Sequence, residues 1–150
     1  MKKPATKSYH ALFLCCGNMD RGDDAVGPLC AAALEARKSP ARTIRGDASE
    51  FLEAWQQARH VIVVDALTGG LAPGTLRRME ASSQEFRPQE ARCSSQGTGL
   101  SHAWRLAGLL KCVPSSLVLL GLEAAEFEWA ATQSAEVVAA MPALVDAVEA

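Results

Sequence analysis

Three runs constrain this chain more than anything else in it: ALFLCC at residues 11–16, HVIVVDAL at residues 60–67 and LVLLGL at residues 117–122. Each is short and almost wholly apolar, each is followed within two residues by a glycine or an acid, and HVIVVDAL is dense in β-branched residues. Such runs suit strands buried on both faces, because a strand with one wet face alternates apolar and polar residues. A sheet covered on both sides needs helices, and the intervening segments supply them.

From about Asp24 to Lys38, the residues Val26, Leu29, Cys30, Ala33 and Leu34 recur at helical spacing, with Glu35, Arg37 and Lys38 on a polar side. Further helices are predicted from about Ser49 to Ala58, bearing Phe51, Leu52 and Trp55, from about Leu100 to Cys112, and from about Ala135 to Val148. The strands are predicted at His10 to Cys16, Ala41 to Arg45, His60 to Leu67, Thr75 to Glu80 and Leu117 to Leu122. Strands taking turns with helices predict an α/β class: a three-layer αβα arrangement of about five mostly parallel, twisted strands with helices on both faces. The strand at Thr75 to Glu80 is the candidate for an antiparallel exception, since a parallel return needs a longer crossover than the loop before it provides. With 150 residues, 49% of them hydrophobic, the chain reads as a single domain over 1–150, with residues 1–9 as a flexible N-terminal segment.

Charge and cysteine usage narrow the function. Fifteen basic residues against seventeen acidic ones leave a net charge of -2, which gives no electrostatic footprint for nucleic acid and no polybasic membrane patch. Small-molecule or protein partners are favoured, and a monomer is expected. The basic start MKKPATKSYH is followed by too short an apolar run for export. The five cysteines, Cys15, Cys16, Cys30, Cys93 and Cys112, are odd in number and contain no C-x-x-C pair, so a reducing cytoplasm fits better than a disulfide framework or a thiolate zinc site. Cys15 and Cys16 are neighbours in a predicted strand and must point to opposite faces.

The chemistry concentrates in GNMDRGDDAVG, residues 17–27, between the first strand and the first helix. In doubly wound sheets ligands bind beyond the carboxyl ends of the strands, where strand order reverses. A central first and third strand would therefore bring Asp24 and Asp65 to one crevice. Two facing carboxylates repel and resist desolvation unless a cation, a proton or a donor holds them, and a metal ion is the simplest candidate. The plainer alternative is that Asp23 or Asp24 caps the first helix and that Asp65 caps a turn before Gly69 and Gly70. No nucleotide cofactor is expected, because there is neither a G-K-[ST] nor a G-x-G-x-x-G pattern. Ser94 and Ser95 lack the G-x-S-x-G setting of an activated serine.

The stretches LFLCCGNMDRGDDAVGPLCAAAL, VIVVDALTGGLAPGTL, SSQGTGLSHAWRLAGLL and LVLLGLEAAEFEWAATQSAEVVAAMPALVDAVE resemble, in order and over nearly the whole chain, the nickel-iron hydrogenase maturation proteases. The resemblance implies an endopeptidase that removes a C-terminal extension from the hydrogenase large-subunit precursor after nickel insertion. It also implies that the bound nickel, supplied by the substrate, is what the enzyme recognises. It places two metal-contacting acids, also the catalytic candidates, on Asp24 and Asp65, and a third contact on Gln96, where the family usually carries histidine. A glutamine carbonyl is a harder and weaker ligand for nickel than imidazole. His102 and Cys93 are the nearby substitutes. The chemistry implied is metal-assisted or aspartic-type hydrolysis, with Asp23 holding the turn and Arg21 and Asp20 as candidates for orienting the peptide. The alternative is a non-catalytic protein of the same fold that senses the metal centre during assembly.

Overall fold

The structure is a computed structural model that describes residues 9–39, 41–93, 99–125 and 127–149, with side chains from Ala11 onward. Its strands are β1 (Tyr9–Cys16), β2 (Ala41–Ile44), β3 (Ala58–Leu67), β4 (Leu76–Glu80) and β5 (Ser116–Glu123). Its helices are α1 (Val26–Ala36), α2 (Ala48–Trp55), α3 (Leu100–Leu110) and α4 (Ala135–Glu149), with short 3-10 turns at Gly22–Ala25 and Pro88–Glu90.

The strands form one sheet in the order β2-β1-β3-β5-β4. β1, β2, β3 and β5 are parallel, and β4 alone is antiparallel. The short connection thus predicts the direction of β4 correctly, although its partner is β5 rather than the preceding β3. Strand order reverses between β1 and β3, which sets the crevice beyond their carboxyl ends.

Side-chain alternation sends the two faces of the sheet to two cores. Leu12, Leu14, Cys16, Val61, Val63, Leu67, Leu117 and Leu119 pack with Phe51 and Trp55 of α2 and with Leu100, Ala103 and Ala107 of α3. On the other face Cys15, Val64, Ala66, Leu120 and Leu122 pack with Val26, Cys30 and Leu34 of α1 and with Val137, Leu144 and Val148 of α4. Cys15 and Cys16 separate to opposite faces as the strand period demands. The expected three layers are therefore present, α2 and α3 on one side and α1 and α4 on the other.

The departures from expectation lie at element ends. Tyr9, expected in the flexible segment, opens β1, while the rest of that segment, residues 1–8, lies outside the described residues. The predicted second helix stops at Trp55, because Ala58 is drawn into β3 by pairing with Tyr9. α3 stops at Leu110 because Lys111 takes a left-handed conformation, with φ of 56°, that the helix cannot continue through. The first helix starts later than Asp24, since Gly22–Ala25 forms a tighter 3-10 turn before it.

The approach of α1 to β1 depends on Gly27. A Cβ there would overlap the Cys16 carbonyl oxygen, so glycine lets the first turn of α1 rest directly on the end of β1. Pro28 follows without penalty, because first-turn amides have no helical acceptor. Gly27→Ala is expected to destabilise the protein by about 3 kcal/mol and lower its melting temperature by roughly 6–12 °C, since backbone rather than a flexible side chain would have to move. Thermal unfolding followed by circular dichroism measures this, and a loss under 2 °C would contradict the close contact.

Candidate active site

The turn after β1 folds back on itself. Gly17 has φ of +144°, a Cβ on it would overlap the Asp24 carbonyl oxygen, and the Asn18 N–H donates to that same oxygen at 3.0 Å. Asn18 Oδ1 accepts from the Asp20 N–H at 2.9 Å, a side-chain turn that tightens the bend. The acidic pair is thereby delivered to the carboxyl end of β1.

Neither acid caps α1. Its N-cap position is Ala25, which makes no side-chain capping hydrogen bond. Asp23 is fully buried instead, with Oδ1 accepting from the Ser134 N–H at 2.7 Å and Oδ2 from the Ala125 N–H at 2.8 Å. The Ser134 hydroxyl lies 3.1 Å and 2.9 Å from the same two oxygens. Asp23 fastens the first turn to the segment between β5 and α4.

Asp24 points the other way. It is half-buried and lines a cavity of about 720 Å³ together with Asn18, Arg21, Arg45, Arg92 and Cys93. Burial raises its pKa, against the opposing influence of Arg92, the Asn18 backbone and Arg21. Asp65 lies near it, wholly buried, with Oδ1 accepting from the Ala66 N–H at 2.8 Å and Oδ2 from the Cys93 N–H at 2.9 Å. Burial pushes its pKa up to about 7, opposed by the backbone and thiol of Cys93 and reinforced by the charge of Asp24. The Cys93 thiol sits between Cys16 and Asp65. Cys16 favours its thiolate, but burial and the Asp65 carboxylate outweigh that and hold the thiol above its ordinary pKa.

The turn before Gly69 and Gly70 is held by Glu123, not Asp65. Glu123 Oε1 accepts from the Gly69 N–H and, at 3.1 Å, from the Leu71 N–H, while Oε2 lies 3.3 Å from Arg77 Nη1. Arg77 also reaches Glu90 at 2.6 Å. Sequence reasoning overlooked Glu123, although an acid closing the apolar run LVLLGLE is the same signal that marks Asp65. It overlooked Arg45 and Arg92 as well.

Gln96, like Ser94 and Ser95, lies outside the described residues. His102 sits in the first turn of α3, half-buried, and is not among the residues lining the Asp24 cavity. Arg21 lines the cavity, whereas Asp20 is exposed and its carbonyl accepts from the Ala130 N–H at 2.7 Å. Among the described residues no three His, Cys, Asp or Glu side chains gather closely enough to hold an ion. Nor is any described helix long and apolar enough to cross a membrane.

Residues 46–150 match the family model described as hydrogenase maturation protease. The chain belongs to the hydrogenase maturation protease family. Among curated relatives of this family, the hydrogenase expression/formation protein HupM of Azotobacter chroococcum mcd 1 is 32% identical over 126 residues, 81% of this chain. The match covers 60% of HupM, so the chain spans less than two thirds of that relative's length. The nickel-iron hydrogenase maturation protease HybD from Thermococcus kodakarensis superposes with a TM-score of 0.73 at 18% identity, covering 94% of this chain and 97% of its own. The hydrogenase maturating endopeptidase HybD from E. coli gives 0.72 at 21% identity, covering 93% of this chain and 90% of its own. At those identities the two structures bear on the fold, and they share the five-stranded mixed sheet and its helices.

The protonation of Asp65 makes this maturation-protease fold pH-sensitive. A carboxyl whose pKa is raised in the folded state holds its proton more tightly there than in the unfolded chain. Its stabilising contribution is complete below the ordinary carboxylate pKa of 3.8 and is lost as pH rises toward about 7. Asp65→Asn is expected to remove from the stability profile a downward slope of up to about 1.4 kcal/mol per pH unit over that window. The amide also forfeits one of the two hydrogen bonds Asp65 accepts. That cost displaces the whole curve without altering its slope, so urea unfolding of both proteins between pH 4 and 8 isolates the titration. Parallel profiles would show that Asp65 does not titrate there.

Proposed function

We propose that this chain is an endopeptidase that removes the C-terminal extension of a nickel-iron hydrogenase large-subunit precursor after nickel has been inserted. The observation that supports this reading best is the placement of Asp24 and Asp65 together at the switch point of a maturation-protease fold, one carboxyl facing a cavity and the other buried close by. Peptide hydrolysis adds a water oxygen to the carbonyl carbon and returns a proton to the departing amine. Before nickel arrives Asp65, with its pKa raised to about 7, is divided between its two forms near neutral pH, and contact with a cation would drive off its proton and leave a carboxylate to meet the ion. Asp24 is the carboxylate that meets the substrate. Nickel carried by the precursor would polarise the scissile carbonyl, with Asp24 and Asp65 as its contacts and Gln96 as the third. Trimming would then await nickel insertion, because an empty precursor brings no ion to those contacts.

Incubation of the purified protein with nickel-loaded precursor, followed by mass spectrometry of the large subunit, tests this. Trimming is expected with nickel and none without it, and Asp24→Asn should slow it by about 10²-fold or more while leaving the circular dichroism spectrum unchanged. Binding without trimming would favour the non-catalytic sensor that the glutamine at position 96 suggests. Neither binding nor trimming would remove both readings.

If Gln96 belongs with the two aspartates, Gln96→His adds an imidazole and should raise nickel affinity about tenfold at pH 7.5, with a smaller gain at pH 5.5, where an imidazole of pKa near ~6.5 is protonated. Calorimetric titration at both pH values, with His102→Ala as the control for the other imidazole, makes the comparison. Equal affinities of wild type and Gln96→His at both pH values would take Gln96 out of the site.

A further inference from the structure

The cavity beside Asp24 carries an excess of positive charge. Its lining includes three guanidinium groups, those of Arg21, Arg45 and Arg92, against the single carboxylate of Asp24. This local excess of positive charge occurs in a chain whose net charge is -2. The ion pairs among the described residues use Arg37, Arg77 and Arg78, and none uses these three.

Two of the three are also held in place. The Arg92 guanidinium lies over the Phe127 ring at 4.4 Å and that of Arg21 over the Trp129 ring at 5.5 Å. Both rings belong to the segment between β5 and α4, which Asp23 pins at Ala125 and Ser134. Stacking occupies the flat face of a guanidinium and leaves its edge donors for a planar acceptor. Pre-orientation of this kind reduces the ordering entropy that binding would otherwise cost. Arg45, exposed just past β2, lines the same cavity.

We propose that this cavity is a carboxylate-binding subsite for the peptide partner, with Arg45 and Arg92 as its principal donors and Arg21 at the rim. The assignment rests on the peptidase reading above and adds a substrate class to it: a segment carrying a carboxylate near the point that meets Asp24. That carboxylate is either an acidic side chain or the free end of the substrate chain. Paired guanidinium donors suit it because each offers two parallel N–H groups to its two oxygens. Asp24 supplies the discrimination, since its own charge repels a carboxylate placed too deep and confines it to the arginine side.

Three synthetic peptides of one neutral sequence separate the possibilities. One carries a central glutamate and an amidated C-terminus, one a glutamine and a free C-terminus, and one a glutamine and an amidated C-terminus. Binding to the full chain is read at low salt from the arginine side-chain N–H signals by nuclear magnetic resonance. At least one charged peptide is expected to bind fivefold or more tightly than the neutral one, and Arg45→Gln with Arg92→Gln should abolish the difference. Preference for the glutamate peptide assigns the subsite to a side chain, and preference for the free terminus assigns it to the chain end. Equal affinity for all three, or a charge preference that survives the double substitution, overturns the proposal. Precursor trimming is scored in parallel. A carboxylate preference without trimming keeps the subsite and removes the peptidase reading, whereas trimming without preference does the reverse.

Discussion

The buried carboxylate of Asp23 is the contact on which the rest of this site depends. A carboxylate taken from water without partners costs several kcal/mol, and Asp23 avoids that by meeting two backbone N–H groups and the Ser134 hydroxyl. Those donors come from chain more than a hundred residues away, so satisfying one side chain closes the first turn against the segment leading into α4. The same segment carries the rings under Arg21 and Arg92. One buried charge therefore sets both the direction of Asp24 and the position of the guanidinium groups around it.

Local surroundings separate the roles of four chemically similar acids. Asp23 and Asp24 are neighbours on a tight turn, so their side chains diverge and only one meets the cavity. Asp65 shares the β3 face of Val61, Val63 and Leu67 and accepts two amides, yet burial still dominates and lifts its pKa. Glu123 closes β5 much as Asp65 lies near the end of β3, but it faces Arg77 and the Gly69 turn. Partner and burial, rather than residue type, decide which acid fastens two segments together and which has its pKa raised.

The layered α/β architecture was legible in the chain because fully buried strands and amphipathic helices have different periods, and both are long here. The switch point followed from the acids placed after β1 and within β3. Element ends were less legible: α3 ends on a left-handed Lys111, a conformation local propensity does not favour for lysine. The use of Asp23 as a long-range fastener was hidden because Ala125 and Ser134 offer ordinary amide and hydroxyl donors, without a signature in sequence. Arg45 and Arg92 were hidden for a related reason: they are distant in the chain and meet only after β2 and the segment following β4 fold over one cavity.

The order β2-β1-β3-β5-β4 leaves two outer strands of four and five residues. On β4 the exposed Arg78 and Glu80 pair at 2.6 Å, and on β2 Arg42 is bonded to Gln57 at 3.0 Å. An edge that recruits another chain by strand addition is long, flat and apolar, and these are short and charged. The hydrophobic strands β1, β3 and β5, which would be the aggregation-prone segments of this chain if exposed, are thus kept inside by a border that offers a foreign strand little to extend.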